Sequence, residues 1–216
     1  MSDLNMQLVR EYFELHLFHV LSYWQHEELP ARLSEPAALL FVEHINPEPA
    51  RDIEFLLRPG DVAQLERAMV EIRAWHADRF YPSMIESNPV LGHVVGDEAR
   101  ALAGSIFGGN GYVTILVIGE LPQAARQRER SLHLLQELGV DHVIEFPTVL
   151  QEMLARISAY GLYAPSQTLQ TLRLLKRYNL VRWQQLEFAF PIEAPPPTNP
   201  PPVDAAVVSD EGEEAE

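Results

Sequence analysis

The feature that most constrains the fold is the run from residue 112 to 154, where a strand, a helix, a second strand and a second helix alternate with short connections. The segment YVTILVI (112–118) is a continuous β-rich apolar run, which is typical of a strand buried on both faces. A helix over 120–139 ends at Gly139 and is followed by the strand DHVIEF (141–146). Two successive strands joined through a helix pair in parallel by a right-handed crossover. The sequence therefore predicts a parallel strand pair covered by helices.

The first half of the chain predicts further elements of the same sheet. Apolar residues recur at helical spacing over 3–24, and apolar runs at 39–45 and 52–58 predict two strands. Because a short turn with two prolines joins these strands, we expect them to be antiparallel. Residues 82–107 predict a helix in two pieces, interrupted near Asn88. Together these elements predict an α/β (α+β) fold, with a mixed sheet flanked by helices.

Residues 61–76 fit two different structures. Apolar and aromatic residues recur there at helical spacing: Val62, Leu65, Met69, Ile72 and His76. The segment AMVEIRAW (68–75) also alternates cleanly, which favours a short helical turn at 61–66 followed by a strand. Glu71 and Arg73 are neighbours on one face only if the segment is a strand, so the two alternatives differ in whether a polar site exists.

If 68–75 is a strand beside 52–58, two sets of polar side chains converge. Asp52 and Glu54 lie on the polar face of the first strand, and Glu71 and Arg73 on that of the second. Carboxylate oxygens are the ligands that Mg²⁺ or Mn²⁺ prefers. A metal held there would lower the pKa of a bound water and stabilise charge on a phosphate.

The order of these elements resembles that of the PD-(D/E)XK, or restriction-endonuclease-like, family. The core of that family is a helix, three antiparallel-type strands, a helix and a strand, often followed by a further helix and strand. The resemblance covers residues 3–157, and the stretch from 116 to 154 is also similar to the end of Mrr-type restriction endonucleases. It implies a restriction-endonuclease-like core and magnesium-dependent hydrolysis of DNA phosphodiesters.

The resemblance also implies roles for individual residues. The family carries an Asp on its second strand and Glu-x-Lys on its third, which implies Asp52, Glu71 and Arg73 as catalytic residues. Asp52, Glu54 and Glu71 would then be the Mg²⁺ ligands. Arg73 stands where the family has Lys, and because arginine stays protonated it can orient a phosphate or a water but cannot act as a base.

Two further hypotheses compete with the nuclease. The first is a catalytically inactive nuclease-fold binding or assembly module, which the arginine in the lysine position favours. The second is a nucleic-acid-binding regulator that uses a C-terminal helical extension over 161–190, with some similarity to a winged helix. Arg173, Lys176 and Arg177 lie in the most basic stretch of the chain and are its candidate DNA contacts. A solvated helix face is the alternative interpretation of the same residues.

Charge and composition divide the chain further. The net charge is -15, and residues 191–216 contain seven acids and no Lys or Arg, so the domain over 1–160 and its extension share a net charge of -8. We expect 191–216 to be a disordered proline-rich acidic tail, which either keeps the chain soluble or, as the alternative, docks a protein partner or mimics DNA. Such a balance excludes a broadly basic nucleic-acid binder.

Cysteine and hydropathy exclude other classes. The chain has no cysteine, which excludes disulfides, thiolate nucleophiles and cysteine-ligated metals. It shows no secretory signal pattern and no apolar run near the roughly 18 residues that a membrane span needs. We therefore expect a cytoplasmic protein with no membrane partner.

Overall fold

The computed structural model describes residues 3–22, 39–49 and 52–181, so the predicted tail over 191–216 lies outside the described residues. It is an α/β fold, in which helices flank a five-stranded mixed sheet. In chain order the elements are α1 (Asp3–Leu15), β1 (Phe18–Ser22), β2 (Leu39–His44), a 3₁₀ turn (Asp61–Gln64), β3 (Arg67–Arg73), α2 (Pro82–Ser87), a 3₁₀ segment (Pro89–Val95), α3 (Asp97–Ile106), β4 (Val113–Ile118), α4 (Ala125–Glu137), β5 (His142–Glu145), α5 (Phe146–Arg156) and α6 (Gln167–Arg177).

The strands lie side by side in chain order from β1 to β5. β2 pairs antiparallel with β1 and with β3, whereas β3, β4 and β5 run parallel to one another. The parallel pair predicted from 112–118 and 141–146 is therefore confirmed, with Leu116 beside Val143 in register. The carboxyl ends of the three parallel strands meet at one edge, where open sites of α/β proteins commonly form.

The helix predicted over 3–24 is wrong beyond Leu15. Leu17 adopts a left-handed backbone conformation with φ of 65°, and Phe18–Ser22 then pairs with β2 as an edge strand. This part of the chain is apolar on both sides, so its pattern fits a helix and a strand equally well. Pairing with a distant partner, β2, decides the outcome.

The pairing predicted for 52–58 is also wrong. β2 already pairs with β1 on one side and β3 on the other, so neither of its edges is open to another strand. The segment lies instead along the outer edge of β5, where Leu56 forms a parallel bridge to Val143. The Val143 N–H donates to the Phe55 carbonyl oxygen at 2.8 Å, and the Leu57 N–H donates to the Val143 carbonyl oxygen at 2.9 Å.

For residues 61–76 the structure confirms the short helical turn followed by a strand. Gly60, with φ of 91°, leads into the 3₁₀ turn Asp61–Gln64, and β3 follows from Arg67. β3 is the middle strand of the sheet, with Val70 and Ile72 fully buried.

The sheet separates two layers of the core. Val70 and Ile72 face the layer that contains α1 and α5, and Leu169 of α6 packs against that layer. Met69 faces the layer formed by α3, α4 and the Pro89–Val95 segment. Strand alternation places the side chains of Glu71 and Arg73 in this second layer. Among the described helices, none has the length and apolar character that crossing a membrane would require.

Candidate functional site

Glu71 and Arg73, the two predicted site residues on β3, form a buried ion pair. The Arg73 Nε donates to Glu71 Oε1 at 2.6 Å, and Nη2 lies 2.5 Å from the same oxygen. Glu71 is 0% exposed and Arg73 is 4% exposed. The prediction that they share one face is confirmed, but that face is covered rather than open to solvent.

The surroundings of Glu71 are apolar. Leu39 of β2 and Leu116 of β4 are its partners in the sheet, one on each side. Burial raises the pKa of Glu71 above its ordinary value, and Arg73, His93 and the Val94 backbone N–H oppose this only in part. The carboxylate is therefore held between apolar neighbours with Arg73 as its principal counter-charge.

Asp52 and Glu54 do not reach this pair. Both are exposed, and the Glu54 Oε1 pairs with the Arg58 Nη2 at 2.7 Å. β4 and β5 lie between β3 and this segment, and three inter-strand steps of about 4.8 Å place them roughly 14 Å apart. The predicted convergence of Asp52, Glu54 and Glu71 is therefore wrong. Over residues 3–22, 39–49 and 52–181, no three His, Asp or Glu side chains form a group that could hold a metal ion.

The middle strand of the antiparallel trio is β2 rather than 52–58. The acid on β2 is Glu43, which accepts from Arg67 Nε at 2.8 Å near the far end of β3. The position that faces Glu71 is Leu39. The acid on the second strand that the family resemblance implied is therefore not found at the position that pairs with Glu71.

The candidate DNA contacts on α6 have intramolecular partners. The Lys176 Nζ donates to the carbonyl oxygens of Leu154 at 2.7 Å and Ile157 at 2.6 Å, at the carboxyl end of α5. The Arg177 guanidinium lies 5.7 Å from the centre of the Tyr160 ring. Arg173 Nη1 lies 3.4 Å from the Gly161 carbonyl oxygen, to which it donates. These cations stabilise the junction between α5 and α6.

We expect Lys176→Met to lower the free energy of unfolding by about 1–2 kcal/mol, because it leaves the last carbonyl groups of α5 without a charged donor. Urea unfolding followed by circular dichroism measures the change. The matched control is Arg126→Met, since Arg126 is an exposed cation near the start of α4. Equal stability of the two variants would contradict the capping role.

A cleft of about 830 Å³ opens at the carboxyl ends of the parallel strands. Its lining includes Trp75 and His76 after β3, Gly119 and Glu120 after β4, and Phe146 after β5. Gly119 allows close packing at this edge, since a Cβ there would lie 2.6 Å from the Trp75 carbonyl oxygen. Sequence analysis did not predict this cleft, although Glu120, two residues after the buried strand β4, was a local signal for it.

His76 is held in the cleft by a buried asparagine of α1. The Asn5 Nδ2 donates to the Ala74 carbonyl oxygen at 3.0 Å, and the Asn5 Oδ1 lies 3.1 Å from His76 Nε2. Since the Asn5 oxygen can only accept, His76 Nε2 carries the proton. The edge-to-face contact of the His76 ring with Phe146, at 4.7 Å between centroids, further fixes its plane.

A second buried polar cluster joins α1 to α5. The Tyr12 hydroxyl donates to Glu152 Oε2 at 2.6 Å, and the Gly60 N–H donates to Oε1 at 2.7 Å. The His16 Nε2 lies 3.4 Å from the same Oε1. Burial raises the pKa of Tyr12; it acts in the same direction on Glu152, but the hydrogen bonds outweigh it and lower the pKa of Glu152.

No protein-family model, curated protein or solved structure matches this chain. The geometry of the buried pair, the cleft and α6 therefore carries the functional argument.

Proposed function

We propose that this protein is a noncatalytic binding or assembly module built on a nuclease-like core, rather than a metal-dependent nuclease. The nuclease-like part is supported by the order of elements: a helix, three antiparallel strands, helices, a parallel strand, a helix and a further strand. The observation that carries the noncatalytic part is the full burial of Glu71, paired with Arg73 and faced by Leu39.

The pair of Glu71 and Arg73 lacks the open, converging carboxylates that metal-dependent hydrolysis requires. A magnesium site in such an enzyme uses carboxylates that converge on a hydrated cation and stay open to the phosphate. Glu71 is the only one of the three predicted ligands that lies in the sheet interior, and it has no exposed surface. Arg73 supplies the counter-charge of the Glu71 carboxylate, which favours a structural role for the pair.

The distribution of charge argues against DNA as the partner. Binding to nucleic acid draws most of its affinity from cations that are available to phosphates. The chain has a net charge of -15, and most arginines of the described part pair with a carboxylate. The arginines that pair with a glutamate are Arg10, Arg58, Arg67, Arg73, Arg79, Arg128 and Arg130.

A plasmid-nicking assay with Mg²⁺ or Mn²⁺ tests this proposal. We expect no nicking above the metal-free control, and no change of the thermal midpoint at millimolar Mg²⁺, because the described residues offer no converging carboxylates. Asp52→Asn is the most useful variant, since Asp52 is exposed and its replacement leaves the core unchanged. Metal-dependent nicking that Asp52→Asn abolishes would overturn the proposal and restore the nuclease.

A further inference from the structure

The cleft at the carboxyl ends of β3, β4 and β5 presents hydrogen-bond acceptors that have no partner in the described part of the chain. His76 donates through Nε2 to Asn5, so its Nδ1 is the acceptor left to a ligand. Asp78 is exposed, lines the cleft and makes no ion pair within the described residues. Its Oδ1 accepts the Arg79 backbone N–H at 2.8 Å, which leaves Oδ2 open.

The cationic side chain that lines the cleft, Arg79, forms an ion pair with Glu120. Arg79 Nε donates to Glu120 Oε2 at 2.9 Å, and this contact raises the pKa of Arg79. With Arg79 and Glu120 neutralising each other, Asp78 leaves the cleft with a net negative charge. An anion would therefore meet repulsion here, whereas a cation would meet acceptors.

Most of the remaining lining is apolar or aromatic. One face of Trp75 stacks on Phe80 at 5.4 Å and 11°, and its partly exposed remainder lines the cleft. Phe146 and Leu150 lie in the same lining, and the exposed Leu4 lies at its rim. Aromatic rings attract organic cations through their faces, and apolar walls bind the body that carries the charge.

We propose that this cleft binds an organic cation, a primary or secondary ammonium on an aromatic or aliphatic body. The ammonium donates to His76 Nδ1 and to Asp78, and the body packs against Trp75 and Phe146. Asn5 is the positioning residue, because its link to the Ala74 carbonyl fixes which nitrogen of His76 accepts. This proposal rests on the proposed function as a binding module, and it adds the class of ligand that the module binds.

Three probes with one skeleton test the charge requirement: 2-phenylethylamine, neutral 2-phenylethanol and anionic phenylacetate. Each is titrated into the ¹⁵N-labelled full chain at pH 8 while amide and indole signals are followed. We expect the amine to shift Trp75, His76 and Gly119 saturably and to bind about tenfold more tightly than the alcohol, with no binding of phenylacetate. An alcohol or an acetate that binds as tightly as the amine would overturn the proposal.

Variants of the cleft residues locate the site. We expect His76→Phe, which keeps a ring against Phe146, to weaken amine binding about tenfold, and Asp78→Asn to weaken it about two- to fivefold. Matched controls are His133→Phe and Asp97→Asn, whose side chains are exposed on α4 and α3. Equal losses in a cleft variant and its control would contradict the assignment.

The nicking assay separates this proposal from the proposed function. Failure of the amine to bind, in a protein that stays inert toward plasmid DNA and Mg²⁺, overturns the ligand assignment and leaves the binding-module function standing. Metal-dependent nicking overturns the proposed function whatever the amine does.

Discussion

Replacing Arg73 with methionine is expected to lower the free energy of unfolding by about 3–5 kcal/mol. The substitution keeps the length of the side chain but leaves the Glu71 carboxylate, which is 0% exposed, without its counter-charge. Burial already raises the pKa of Glu71, so the variant would either bury an unpaired charge or take up a proton. Urea unfolding followed by circular dichroism measures the loss.

The double variant Glu71→Leu/Arg73→Met tells whether the pair itself is needed. Replacing both partners of a buried pair by apolar residues is often neutral, so we expect it to recover most of the stability lost in Arg73→Met. The matched control is Arg67→Met, also on β3, which breaks the partly exposed pair of Arg67 with Glu43 of β2 and costs less than about 1 kcal/mol. A double variant less stable than Arg73→Met would show that polar contacts of Glu71, not burial of its charge, stabilise β3.

The second half of the fold was predictable because its pattern is local. The apolar run of β4 is rich in β-branched residues and typical of a strand buried on both faces, and Gly139 ends the next helix with φ of 87°. The connections on either side of α4 are short, so a parallel crossover is the arrangement they allow. The residues of 112–154 are therefore sufficient to predict that β4 and β5 are parallel.

The errors in the first half come from long-range pairing. The extended conformation near 52–58 was predicted, but its neighbour, β5, lies about 90 residues later in the chain. The edge strand Phe18–Ser22 likewise depends on β2, whose own pattern says nothing about which strand joins it. The pattern along 52–58 thus gave an extended conformation but not its partner, whereas the pattern along 16–22 left even the conformation undecided.

In the candidate site, too, the local pattern predicted some features, and contacts between distant residues determine the others. That Glu71 and Arg73 share a face follows from the two-residue period of a strand, and the structure confirms it. Their burial depends on the Pro89–Val95 segment and on Leu39, which no local pattern connects to them. The cleft was missed because Asn5 and Ala74, which position His76, are 69 residues apart.

Glu152→Gln is the second substitution with a large expected effect, about 2–4 kcal/mol of destabilisation. Glu152 accepts from the Tyr12 hydroxyl and the Gly60 N–H, and it lies beside His16. A glutamine amide supplies one acceptor oxygen and turns donors toward groups that also donate. Thermal and urea unfolding measure the loss. The matched control, Glu137→Gln, removes an exposed carboxylate beside His133 and is expected to change stability by less than about 0.5 kcal/mol.

The pH dependence of that difference identifies its cause. Since the pKa of Glu152 is lower in the folded protein than in the unfolded chain, its contribution is complete above the ordinary glutamate pKa of about 4.3. The contribution is lost as the pH falls through the lower folded pKa, because the folded carboxylate then takes up its proton. The stability gap between wild type and Glu152→Gln should therefore narrow as the pH falls below about 4. Glu71 titrates alike in both proteins and cancels from the comparison, so a gap that stays constant down to acid unfolding would contradict a role for the Glu152 charge.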